Sequence, residues 1–416
     1  MSVNAAKTSV ASRLKAVDQY WFGGGSPVTL GLFRIVMCGL CFVNLLFLMF
    51  DWDAWFSEKG YVPSFLGQMW LGNNLKPFPT LNFEVPRLDL LHGITDPRIT
   101  LPFFVITMLC AILGSIGLAT KWVLPALAVG IVSLHHRNIA ILHGGDTILR
   151  VCILYLAVSP CGKACSADRL VGRWRGTAPI DPPVISLWPQ RLITFQVALI
   201  YFTSVWIKYY GVHWKDGTAT WYTARLAEFY RFPVPSFVND LPMVRLTTYG
   251  TLFVEFSMAT LVFFRPLRTP VLILGAMMHQ YIDYSMNIPL FSFLMISTYI
   301  CFYDGEEISA FAHRLALLLK RFRVTIILPT DYELRPEISR ILPSLNPLQL
   351  LEVASSPVSD RWTATENGRA VPPRASILWR SPLLFLLGLG TNRSVVRIEE
   401  KLSAETEKGS RITSIR

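Results

Sequence analysis

Five ionisable side chains stand within or at the edge of apolar runs: His136, Lys208, Glu255, His279 and Asp283. A titratable group in such a place is expensive unless something uses it, so each is a candidate for chemistry. Lys208 is the sharpest case. It ends the apolar part of "ALIYFTSVWIKYYGVHWKDG", residues 198–217, among Phe202, Trp206, Tyr209, Tyr210 and Trp214. A lysine kept from water loses support for its ammonium form, and the free amine is a base. A lysine at a helix end also snorkels to the interface, so anchor and base both remain open. Glu255 has a duller partner in Arg34, which lies within "LGLFRIVM", and a buried pair of that kind needs no further role. His136 and His279 also read as satisfied core histidines, and His135 as a bystander. Glu255, Asp283, Trp206 and Tyr209 are the candidates for contact with a cofactor.

Other motifs carry less. "HHRNIAILHGGD" brings His135, His136, His143 and Asp146 close in sequence, but lacks an i, i+4 histidine pair. Its Gly-Gly-Asp reads as a turn capping the next helix, and no metal is expected. "GGG" at 23–25 and "GG" at 144–145 neither follow strands nor end in Gly-Lys-Ser/Thr, so they are not phosphate loops. Seven scattered cysteines provide no disulfide framework, and Cys38 and Cys41 of "CGLC" read as small residues buried on one helix face.

The elements that position these groups follow from composition. Of 416 residues, 52% are hydrophobic and 16% charged, and the mean hydropathy is +0.41, on the membrane side of globular composition. Residues 99–120 hold no ionisable side chain except a cysteine, and about twenty such residues cross a bilayer core as a helix. The fold class expected is an all-α multi-pass membrane bundle with a small C-terminal α/β soluble module. About eight spans fit, at 28–50, 101–119, 122–141, 146–160, 192–210, 244–264, 270–284 and 288–303, the fourth, seventh and eighth being short. Residues 1–27 form an amphipathic or mobile arm without the apolar core of a signal peptide. Residues 304–416 form the soluble module, with strands at 324–329 and 348–354, helices at 335–345 and 374–389, and a frayed tail from 392.

Basic residues orient the chain. Lys7, Arg13, Lys15, Lys121, Lys163, Arg169, Arg173, Arg175, Arg191, Arg265, Arg268, Arg314, Lys320, Arg321 and Arg323 fall on one side of the eight-span arrangement. Both termini are therefore expected in the cytoplasm. The net charge of +11 needs no nucleic-acid partner. In that topology His136, Lys208, Asp283 and His279 tend toward the outer half, facing an outward-opening cavity, while Glu255 lies near mid-span. Trp52, Trp55 and Trp70 in the first outer loop, and Trp214, Trp221, Tyr222 and Tyr230 in a later one, suit an interfacial lid.

"LGLFRI" (30–35), "HHRNIAILHGGDTILR" (135–150), "LIYFTSVWIKYYGVHWKDGTA" (199–219), the Glu of "TLFVEFSMATLVFF" (251–264) and "HQYIDYSMNIPLFSFLM" (279–295) together resemble the HTTM family, which takes in the vitamin K-dependent gamma-glutamyl carboxylases and shorter bacterial relatives. The resemblance spans roughly residues 20–303. It implies that Lys208 is the base acting on vitamin K hydroquinone or another quinol, with O2 and CO2 as co-substrates. Oxygen turns the quinol into a base strong enough to take a glutamate γ-proton, and CO2 adds to the carbanion. It further implies that His136 and His279 contact quinol or substrate, and that a peptide or small molecule is the acceptor. The family's carboxylase has two successive lysines where this chain has Ile207 and Lys208, and its large luminal domain has no counterpart here. A non-enzymatic carrier, a lipid-binding scaffold or an accessory subunit with the same fold remains a competing reading.

Overall fold

The computed structural model describes residues 3–382 and 395–397, except 64, 67–68, 70–73, 79–82, 87–88, 139, 331, 357–362 and 368. Trp70, residues 383–389 of the expected last helix, and nearly all of the tail lie outside the described residues. The chain forms two compact units. One unit comprises residues 1–166 and 183–304, the other residues 167–182 and 305–416.

The first unit is helical. Its helices are α1 (Val3–Phe22), α2 (Val28–Phe50), α3 (Pro97–Ile116), α4 (Thr120–Arg137) and α5 (Gly144–Ala157). After α6 (Ala167–Trp174), which belongs to the second unit, come α7 (Trp188–Tyr209), α8 (Leu241–Ala259), α9 (Arg265–Ser285) and α10 (Phe291–Thr298). A 3₁₀ turn, Tyr299–Phe302, prolongs α10. Helix thus occupies each of the eight apolar segments. Among the described residues α2, α3 and α7 are long and apolar enough to cross a membrane. Helices α3, α7, α8 and α9 carry a proline in the first turn, where its fixed φ suits the helix and its missing N–H costs nothing.

Helix α2 is central, packing on α3, α5 and α10, with Leu30, Phe33, Met37, Cys38, Cys41 and Leu45 fully buried. None of the seven cysteines is in a disulfide. The outward faces are as apolar as the core: Ile106, Leu109 and Ile116 of α3 and Phe195, Leu199, Phe202 and Trp206 of α7 are exposed. A helix apolar on both faces suits lipid as its surroundings. Strands β1 (Gly24–Gly25) and β2 (Ile185–Ser186) pair antiparallel, so the chain enters α2 and α7 from one end of the unit.

Arg34 does not pair with Glu255. It is fully buried and donates to the carbonyls of Gly114, Ser115 (2.8 Å) and Cys165 (2.5 Å). Gly114 and Ser115 belong to the last turn of α3, whose carbonyls lack intrahelical partners and form the negative end of the helix dipole.

In the second unit α11 (Gly305–Leu318) leads into β3 (Val324–Pro329), β4 (Tyr332–Leu334), α12 (Pro336–Leu345), β5 (Leu351–Ser356), β6 (Thr363–Glu366), β7 (Arg369–Val371) and α13 (Pro373–Arg380). The sheet order is β5-β3-β6-β7. Strands β3 and β5 are parallel across the α12 crossover, and the other pairs are antiparallel. The core is Val324, Ile326 and Leu328 against Ile338, Ile341 and Ile377, and Leu170 of α6 packs on it. Arg173 of α6 also donates to Ser344 of α12. Residues 167–182, read in sequence as a basic loop between spans, therefore fold together with the C-terminal chain. The two segments must lie on the same side of any membrane.

Candidate functional site

Helix α7 has two faces with different work. Phe195, Leu199, Phe202 and Trp206 point outward, whereas Tyr201, Ser204 and Lys208, spaced i, i+3, i+7, share the face that packs on α8. Lys208 forms an ion pair with Glu255 Oε1 of α8. Its Nζ also donates to Ser204 Oγ at 2.9 Å, and Ser204 donates to the same carboxylate oxygen at 3.2 Å. Trp214 places its ring centroid 4.9 Å from Nζ, a cation–π contact that stabilises an ammonium where water is scarce. The lysine side chain keeps 22% exposure and the glutamate 8%. Glu255 Oε2 is buried with no hydrogen-bond partner.

A second polar cluster stands on the same face, about two turns before Lys208. Tyr201 Oη lies 2.7 Å from His279 Nε2 of α9 and 2.7 Å from Tyr299 Oη. The His279 ring is buried, its Nδ1 has no hydrogen-bond partner, and its carbonyl accepts from Ser292 Oγ at 2.7 Å. Gly275, one turn before His279, makes room for this arrangement, because a Cβ there would stand 2.7 Å from Tyr299 Oη and 3.1 Å from Met258 Sδ. Gly275→Ala is expected to displace Tyr299 and lower stability by about 1–3 kcal/mol. Adding Tyr299→Phe, which removes the crowded oxygen, is expected to restore part of that loss in thermal unfolding of the detergent-solubilised protein.

The turn after α7 explains the Trp-Lys-Asp-Gly run. A short helix, Val212–Asp216, carries Trp214 back over the lysine and ends at Gly217 with φ +82°, a left-handed conformation natural to glycine. Asp216 accepts from the Thr218 hydroxyl (2.5 Å) and backbone N–H (2.9 Å). These bonds hold its carboxyl below the usual range.

The remaining candidates lie elsewhere or face outward. Asp283 pairs with Arg231 at 3.0 Å, and Arg231 also donates to the Asp283 carbonyl. Trp206 is exposed and meets Tyr210 edge-on, while exposed Tyr209 lies under Lys215. Partly exposed His136 is the penultimate residue of α4, which packs chiefly on α3 and α5. Its neighbour His135 is the buried one, 4.0 Å from Asp146. One residue's step along a helix turns the side chain about 100°, which is why adjacent histidines have different fates. Asp146 also accepts from Asn44 (3.3 Å) and from the His143 N–H (2.9 Å), and His143 and Asp146 form a capping box at the start of α5. Among the described residues no three His, Cys, Asp or Glu side chains are grouped to hold a metal. A mainly apolar cavity of about 70 Å³ lies between α5 and α7, bordered by Val151, Tyr155, Gln196 and Ile200 and separate from the lysine pair.

A half-buried lysine joined to a buried carboxylate can pass a proton on and stabilise a nearby anion. With these positions in view, the family model described as the HTTM domain matches residues 66–306. No curated protein and no solved structure matches the chain.

Proposed function

The chain belongs to the HTTM domain family, and from that premise we propose a multi-pass membrane enzyme of eight spans, with both termini cytoplasmic, whose Lys208–Glu255 pair takes a proton from a lipophilic quinol. The observation that carries this reading is the pair itself: a lysine and a buried carboxylate joined on the inward faces of α7 and α8, with one carboxylate oxygen unpartnered. A phenolic hydroxyl suits that oxygen as donor, and the Trp214 ring offers a flat surface for an aromatic ligand. A bound quinol would supply two electrons and an acidic hydroxyl. Glu255 Oε2 accepts the proton, while the Lys208 ammonium, held by Ser204 and Trp214, faces the negative charge left behind. Division of the task is favoured physically, since an ammonium has three N–H donors and no lone pair with which to take a proton. Tyr201, His279 and Tyr299 form a separate hydrogen-bonded cluster on the same side of α7. Oxygen and carbon dioxide are the proposed co-substrates, with a peptide or small molecule as acceptor.

The test is oxygen uptake by the purified protein with reduced quinones, with and without carbon dioxide. Lys208→Ala, which removes the charge facing the quinol anion, is expected to lower uptake by about 10²–10³-fold, the usual scale for loss of one electrostatic stabiliser. Absence of both quinol binding and oxygen uptake in the wild-type protein would overturn the proposal in favour of a carrier or scaffold.

A further inference from the structure

The end of the first unit where β1 meets β2 holds a second polar site, at the start of α7, whereas Lys208 is in that helix's last turn. Tyr20, Arg191, Arg265, Arg268 and Asp304 border a cavity of about 460 Å³. These residues come from the last turn of α1, the first turns of α7 and α9, and the chain just beyond Phe302. Arg191 contacts Asp304 at 3.0 Å and Arg265 contacts it at 3.8 Å. Arg268 donates to the Phe302 carbonyl at 2.9 Å and stacks on Tyr303. Two guanidinium groups thus meet one carboxylate and a third borders the same cavity, and Arg191 Nε is buried without a hydrogen-bond partner. Helices α7 and α9 both begin here without a side-chain cap, so their N-terminal dipoles add to the positive potential. Exposed Tyr20, Phe22, Phe263 and Phe264 surround the site, as aromatic residues do at the level of lipid headgroups.

We propose that this cavity binds a phosphate-bearing anion. Arg191, Arg265 and Arg268 are its donors, and Asp304 is the carboxylate it displaces. Guanidinium groups suit the choice, since their planar N–H forks match phosphate oxygens in pairs. The cavity's volume of about 460 Å³ admits either the phosphate of an anionic phospholipid or a free phosphate.

Binding is measured on the full chain in a mild, uncharged detergent, by native mass spectrometry and thermal shift. The probes are short-chain phosphatidylglycerol, phosphatidylcholine and inorganic phosphate. Saturable binding of phosphatidylglycerol is expected, weakened about tenfold by Arg265→Gln and unchanged by Lys121→Gln, a charge removed elsewhere. Arg265 is 78% exposed, so its loss leaves the fold intact. Asp304→Asn is expected to tighten binding, because the competing carboxylate is gone. Competition by inorganic phosphate would identify the phosphate group itself as the element recognised. Selectivity for phosphatidylglycerol without such competition would assign the site to the lipid. Equal weakening by Arg265→Gln and Lys121→Gln, or no binding of any probe, would overturn the proposal.

Discussion

Glu255→Gln is expected to destabilise the helical unit by about 2–3 kcal/mol, and Lys208→Met by about 3–4 kcal/mol, whereas the double variant returns to within about 1 kcal/mol of the parent. The ordering follows from burial. Removing the lysine strands a carboxylate whose side chain is 8% exposed, while removing the carboxylate strands an amine that keeps 22%. The more exposed survivor is solvated more cheaply, and it retains Ser204 and Trp214. Exchanging both partners for neutral side chains of similar shape relieves both desolvation costs together. Thermal unfolding of the three variants in detergent measures the coupling. The same three proteins separate architecture from chemistry, because all are expected to lose quinol-dependent oxygen uptake, including the double variant that folds well. Recovery of uptake in the double variant would show that the pair only holds α7 to α8.

The polar residues of this site were legible as isolated anomalies in apolar runs, but their partners were not. Lys208 and Glu255 are 47 positions apart, and no periodicity states which buried cation answers which buried anion. Arg34 was an equally reasonable partner for Glu255 until α3 proved to end beside it. Asp283 looked like a member of the cluster because α9 places it one turn beyond His279, yet the loop arginine Arg231 claims it. Tyr201 and Tyr299 carried no signal, since a tyrosine in an apolar helix is ordinary and only a shared hydrogen bond distinguishes it. The helices themselves were readable because exclusion of charge is a local property, and their starts fell late wherever a proline began the first turn. In the second unit the apolar strand Val324–Pro329 is plain, whereas the hairpin of Thr363–Glu366 and Arg369–Val371 is short and polar and gives no alternating pattern to find. That α6 joins this unit could not be read locally, because its basic residues served equally well as evidence of an inner loop.

Arg34→Met is expected to cost about 4 kcal/mol and to lower the melting temperature on the order of 10 °C. Methionine fills much of the same volume, so the loss comes from hydrogen bonding more than from a cavity. Three carbonyl oxygens, those of Gly114, Ser115 and Cys165, would lose their donor together, and a buried acceptor left unmade costs about 1–3 kcal/mol. Two of them end α3, so the favourable meeting of a cation with the negative end of that helix is lost as well. Arg34→Lys is expected to fall between the two proteins, because one ammonium retains the charge but cannot reproduce the fork that reaches both the α3 terminus and Cys165. Arg34 stands far along α2 from the lysine pair in sequence and shares no partner with it. The Arg34→Met protein that remains folded at low temperature should therefore keep quinol-dependent uptake, and a loss of uptake matching that of Lys208→Ala would show that the helix-end anchor and the proton site are coupled.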